Sequence, residues 1–259
     1  MMQMNSFLSI LKAEHYKTKR NIGLKLILLF PLFVTLFVDL YLAYKYVDVY
    51  QFAYNPWIAV LGRYIFSFYV FMYPLVIAIF CYSYCDIEYK HQSIKQLFTL
   101  PITKLKIYLA KSFLLIEVLL ISILTAYFLF MLSGYVMSYA MPEYNYQNYD
   151  SRIIIGVFFF KLFLASIAIA FIQLFLSLTF NNFTIPIGFA CFGVFFAIIA
   201  NRWKYIDFIP YASINKGNSA FFLGSTRLIG NVELLNLMYI LLFSFLCYWC
   251  FINLTKKKG

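Results

Sequence analysis

Charged residues are scarce in this chain: Asp, Glu, Lys and Arg make up 12% of 259 residues, about half the share of an ordinary soluble domain. A water-soluble fold of this length is thereby excluded. Histidine is scarcer still, with only His15 and His91, and no H-E-x-x-H pair, G-x-S-x-G elbow or G-x-x-x-x-G-K-[ST] phosphate loop occurs. The chain therefore carries no motif for zinc hydrolysis, serine acyl transfer or ATP binding of its own. Five cysteines are too few for a disulfide scaffold. Cys81 and Cys85 fall near one end of an apolar run and Cys247 and Cys250 near the end of another. A zinc site from the two pairs is one reading, and small apolar packing in a reducing compartment is the favoured one, so no metal is expected.

What is abundant is apolar surface, at 64% hydrophobic and 22% aromatic residues with a mean hydropathy of +0.81. About twenty apolar residues in helix cross roughly 30 Å of hydrocarbon. Six runs qualify: 24–44, 58–84, 107–137, 153–180, 184–200 and 234–254. They are continuously apolar rather than alternating, so helices are predicted and a barrel is not. The fold class is an all-α polytopic membrane protein, a single transmembrane domain over 1–259. The first run starts too far in for a cleaved signal peptide and lacks a small-residue cleavage site, so it is expected to stay as a membrane helix.

Orientation follows from the basic residues. Segments 1–25, 85–111 and 255–259 hold 13 of the 21 Lys and Arg, and six crossings put all three on one side, the cytoplasmic one. Asp48, Glu143, Asp150, Asp207 and Glu233 fall on the other. The net charge of +11 thus reports topology, and no basic stripe with stacking aromatics points to nucleic acid. Both termini are expected in the cytoplasm.

Two cytoplasmic units stand out. In residues 1–23, Met4, Phe7, Leu8 and Leu11 recur at helical spacing ahead of Lys12, Lys17, Lys19 and Arg20, which predicts a helix lying on the membrane interface, the alternative being a basic tail that only sets orientation. The connection 85–106 is longer than a return to the bilayer needs. Ile94, Leu97 and Phe98 share one face of a helix from Glu88 to Phe98, and Glu88, Lys95 and Gln96 are available to water. Pro101 ends that helix, and Thr103 is placed to cap the next.

The run from Glu88 to Lys111, E-x-x-x-x-S-I-K-Q-L-F-T-L-P-I-T-K-x-K-I-x-x-A-K, resembles the stretch between the second and third membrane helices of type-2 ABC-transporter permeases. In that family the stretch holds the coupling helix that sits in a cleft of the ATPase. The resemblance carries over Glu88, Ser93, Leu97, Pro101, Thr103, Lys104 and Lys111, with Lys95 and Phe98 on the same helix, while Gln92 stands where the family often has glycine. It implies two copies of a separate ABC ATPase that bind ATP and magnesium, a second permease chain, identical or related, and no cofactor on this chain. Asn55-Pro56-Trp57, Trp203-Lys204-Tyr205 and Pro210-Tyr211 are similar to members that protect bacteria against lantibiotics and related peptide antibiotics. That likeness implies an exporter in the bacterial cytoplasmic membrane, with lipid or polysaccharide export as alternatives on the same architecture.

Charged groups inside the spans are candidates for the pathway. Asp39 and Lys161 lie at similar depth, roughly 6 and 8 Å outside the middle of their spans, and either pair, line a polar cavity, or snorkel separately to the headgroups. Glu117 is the counterpart near the other surface, to pair with Lys111, face the pathway or pack, and Arg63 is read as snorkelling. The connection 201–233, too apolar for a plain loop and too polar to cross, predicts short helices dipping back into the outer leaflet; the family resemblance implies that it helps to close the pathway outside, with Trp203, Pro210 and Tyr211 as an outer gate. Tyr139, Tyr144, Tyr146 and Tyr149 suit the headgroup region, the alternative being contact with an amphipathic peptide. The rival readings are an ATP-independent channel or scaffold, and an intramembrane enzyme, which lacks a catalytic constellation.

Overall fold

A computed structural model describes residues 7–44, 55–90, 102–180, 182–219 and 227–253. Among them every regular element is a helix. α1 is Phe7–Thr18 and α2 is Ile22–Tyr44; α3 is jointed, built from Pro56–Val60, a π-helical turn Leu61–Ile65, Phe66–Phe71 and Tyr73–Lys90. α4 is Lys104–Ala140, α5 Arg152–Thr179, α6 Thr184–Ile199, α7 Ser213–Ser219 and α8 Asn231–Asn253. The helix ends follow the apolar runs closely, because in lipid a backbone must satisfy its own hydrogen bonds. One departure matters below: α3 runs past Tyr84 to Lys90.

Five helices, with α3 counted over Pro56–Glu88, are long and apolar enough to cross a membrane. α6 has 16 residues and so reaches about 24 Å at 1.5 Å per residue. It lies antiparallel on α3, since Phe183 meets the ring of Tyr82 at 5.2 Å and Phe195 meets Phe71 at 5.6 Å. α5 is the central helix, with 67% of its most apolar stretch buried against 17% for α8. It packs on α3, α4, α6, α7 and α8. Close approach elsewhere depends on glycine: a Cβ on Gly23 of α2 would meet Ser83 Oγ at 2.1 Å and Phe80 Cα at 2.8 Å on α3.

One joint shows how the bundle satisfies its backbone. Pro31 lies inside α2 and brings no N–H, so the carbonyl of Ile27 loses its helical donor. Ser122 of α4 donates its hydroxyl to that carbonyl at 2.9 Å, and Tyr73 of α3 donates to Ser122 Oγ at 3.2 Å. Three helices are tied at a point that proline opened. The described beginning and end of the chain share one end of the bundle: Phe7 packs on Phe113 near the start of α4, and Phe251 on Tyr108 of the same helix.

Candidate functional site

At the end of the bundle where α1 lies, charged side chains from three helices meet out of water. α1 buries Ile10, Glu14 and Thr18, a stripe at i, i+4, i+8 that faces α4. Of the apolar residues read on this helix, Leu8 is 67% exposed and Phe7 lies edge-on to Phe113. The surface under α1 is polar, offering Lys111 and Tyr84, so it accepts a carboxylate rather than a run of leucines. Thr18 then donates to the carbonyl of Glu14 at 3.0 Å, and Asn21 Oδ1 accepts from the Gly23 amide at 2.7 Å to start α2.

Glu14 is the hub. Its Oε1 accepts from Lys17 Nζ at 3.0 Å, and its Oε2 accepts from the Tyr84 hydroxyl at 2.9 Å and from Lys111 Nζ at 3.5 Å. Lys111 Nζ also lies 2.8 Å from Glu88 Oε1 and 4.3 Å over the Tyr84 ring, and Lys17 Nζ is 3.7 Å from Glu88. Glu14, Glu88 and Lys111 are only 2%, 5% and 3% exposed. Two carboxylates and two ammonium groups cancel, which is the condition under which such burial is tolerated. Burial alone would push the Glu14 carboxyl up, but Lys111 and Lys17, with hydrogen bonds from Lys17 and Tyr84, hold it below the ordinary Glu range.

The network stands at both feet of one segment. Glu88 is near the end of α3 and Lys111 is in the second turn of α4, so their bridge closes the base of the stretch between these helices. Ser93, Lys95, Leu97, Phe98 and Pro101 of the expected coupling set lie outside the described residues, as does most of the surface helix. Glu88 is corrected: it was expected to face water, but continuation of α3 to Lys90 carries it into the interior. Thr103 takes the N-cap position of α4 without a capping side-chain bond, and Lys104 begins that helix. Glu117 pairs with His15 of α1 at 3.1 Å rather than with Lys111, whose buried position is already matched by Glu14 and Glu88.

The other intramembrane charges are sorted differently from expectation. Lys161 of α5 sits 3.4 Å from Glu233, in the first turn of α8, and Glu233 Oε2 accepts from the Gly230 amide at 2.7 Å. Asp39 instead accepts from Ser133 Oγ of α4 at 2.5 Å. The Asp39–Lys161 pairing is thus replaced by two separate contacts, because equal depth does not put two helices' faces together. Arg63 is exposed in the π turn. Tyr211 is buried, its ring against Gly193 of α6 and its hydroxyl bonded to the Gln173 amide of α5. Trp203 is half exposed, edge-on to Phe196 and Tyr205, and Pro210 is half-buried, opening a 3-10 turn. The three expected gate residues thus differ in burial, Tyr211 being the one enclosed by helices α5 and α6.

Sequence reasoning missed Glu14, Tyr84 and the role of Glu233. A signal for Glu14 existed: it is the lone carboxylate in a basic helix. Cys81 and Cys247 donate weakly to the carbonyls of Ala170 and Phe171 on α5. Among the described residues no cluster of His, Cys, Asp or Glu is placed to hold a metal.

Residues 10–197, more than half of the chain, match the family described as ABC-2 family transporter protein. The chain belongs to that family. The match runs from α1 through α6 and takes in all five groups of the network. No curated protein and no solved structure matches the chain. Membership makes this multi-pass membrane protein the transmembrane component of an ABC transporter, and implies an ABC ATPase as its partner.

Proposed function

We propose that this ABC-2 permease is half of the membrane pathway of an ATP-driven exporter in the bacterial cytoplasmic membrane. Two permease chains, identical or related, assemble with two ATPases that bind ATP and magnesium. Both termini face the cytoplasm, α6 serves as a sixth crossing, and the stretch from Arg202 to Glu233 folds back into the outer leaflet around Tyr211. ATP-driven closure of the ATPases pushes on the surface helix that carries Ser93, Lys95, Leu97 and Phe98, with Pro101, Thr103 and Lys104 leading back into α4. Asp39 and the Lys161–Glu233 pair border the path, and Trp203, Pro210 and Tyr211 close it outside. The cargo is an amphipathic peptide antibiotic of the lantibiotic kind, taken from the membrane.

The observation that carries this reading is the Glu88–Lys111 bridge at 2.8 Å. A lever transmits force only when its base does not give, and a buried ion pair between the two helices entering and leaving the segment supplies such a base. The test is co-purification with the ATPase and survival of a deletion strain complemented by variants. Lys95→Glu is expected to release the ATPase, and Lys111→Met to keep it while losing protection against lantibiotic-type peptides. A chain that binds no ATPase contradicts the docking role. Unchanged peptide sensitivity on deletion contradicts the cargo and leaves lipid or polysaccharide export as the reading to take up.

A further inference from the structure

Beside the charged network, on a different face of α1, a cavity of about 420 Å³ is lined by Lys12, His15, Tyr16, Thr18, Lys19, Leu24 and Val118. Lys12, His15, Tyr16 and Lys19 follow i, i+3, i+4, i+7, so they form one stripe of α1 continued into the turn after it, where the Lys19 amide donates to the His15 carbonyl at 3.1 Å. Lys12, His15, Tyr16 and Lys19 are exposed. His15 Nε2 lies 3.1 Å from Glu117 Oε2, and Lys17 on the neighbouring face is committed to Glu14 and Glu88. Lys12 and Lys19 have no ion-pair partner among the described residues. Two uncommitted cations therefore rim a cavity whose floor is apolar, since Leu24 belongs to α2 and Val118 to α4, both membrane-crossing helices.

A soluble anion would match the rim and waste the floor. A cleft of an acidic protein would need to reach past α1 to Val118, about 10 Å along α4 from Lys111 at 1.5 Å per residue. A phospholipid matches both at once, with a phosphate between the lysines and acyl chain against Leu24 and Val118. We propose that this cavity binds the phosphate of an anionic phospholipid in the leaflet beside α1, with Lys12 and Lys19 as its ligands and Tyr16 as a hydroxyl donor. The bound lipid seats α1 from outside, as Glu14 seats it from within. This holds whatever the transporter exports.

The experiment uses the full chain in detergent, mixed with phosphatidylglycerol or phosphatidylcholine and read by native mass spectrometry. Lys12→Gln/Lys19→Gln is compared with Arg202→Gln/Lys204→Gln, which removes the same charge at the opposite end; melting temperature checks the fold, and each single variant stands in if a pair proves unstable. Phosphatidylglycerol retention is expected to fall by about tenfold or more in the first pair, each lysine near a membrane surface contributing about 1 kcal/mol. It is expected to stay near wild type in the second pair, with phosphatidylcholine retention unaffected by either. Inorganic phosphate added in excess is expected not to displace the lipid. Equal loss in both pairs, or no loss in the first, overturns the site. Displacement by inorganic phosphate overturns the lipid and makes the ligand a free phosphate.

Discussion

The two ends of the bundle use charge in opposite ways. Near α1, five groups from three helices share their charges: Glu14 touches Lys17, Tyr84 and Lys111, and Lys111 returns to Glu88. At the other end, among the described residues, the buried ion pair Lys161–Glu233 fastens α5 to α8 amid aromatic packing and uncharged hydrogen bonds. There the Trp57 indole N–H donates to the Tyr146 carbonyl at 3.0 Å, and Asn55 reaches Ser151 at 2.5 Å. A Cβ on Gly134 would meet the Trp57 ring at 2.1 Å, so that corner closes on shape. The network couples three helices, whereas the Lys161–Glu233 pair joins two. In the proposed mechanism the first is the base of the lever and the second a junction that opens and closes.

The largest effect should come from the network. Lys111→Met leaves two buried carboxylates with only the partly exposed Lys17 between them and is expected to cost about 5 kcal/mol, the top of the range for breaking a buried ion pair, seen as a large drop in melting temperature in detergent. Replacing Glu14 and Glu88 with Gln as well should recover most of the loss. Lys161→Met takes the cation from the single carboxylate of Glu233, which keeps the Gly230 amide, so about 3 kcal/mol is expected by the same measurement. An equal cost at the two ends would break the contrast between network and pair.

Smaller effects sharpen it. Ser122→Ala leaves the Ile27 carbonyl, opened by Pro31, without a donor, at about 1–3 kcal/mol and with both ends of the bundle otherwise intact. Acid should separate the ends further. The Glu14 carboxyl is held below its ordinary value of 4.5, so its contribution is fully present above that value and is lost as pH falls through the lowered one. Wild-type stability should therefore decline below pH 4.5 more steeply than that of Glu14→Gln. Parallel declines would mean that Glu14 is not held as described.

The helices were legible because a run of twenty apolar residues leaves the backbone no other solution in lipid. Lysine counts placed α1 and the connection after α3 at one end, and the contacts of Phe7 and Phe251 on α4 agree. Partner choice was not legible. Asp39 and Lys161 share a depth, but azimuth decides contact, and a helix that turns 100° per residue hides azimuth between distant segments. Glu88 read as solvent-facing because the apolar run stops at Tyr84, whereas the helix continues and buries it. Glu14 escaped notice because a carboxylate among lysines looks like surface patterning until the lysine it meets, Lys111, is found 97 residues away.

The central claim is that Glu14 binds α1 to the α3–α4 junction through Lys111. A double-mutant cycle of Glu14→Gln and Lys111→Met, followed by unfolding of the purified chain in detergent, measures that coupling directly. The account predicts that the two losses fail to add by about 1–3 kcal/mol, as expected for groups within one ion network. Additive losses would show that the two residues act independently and would contradict it.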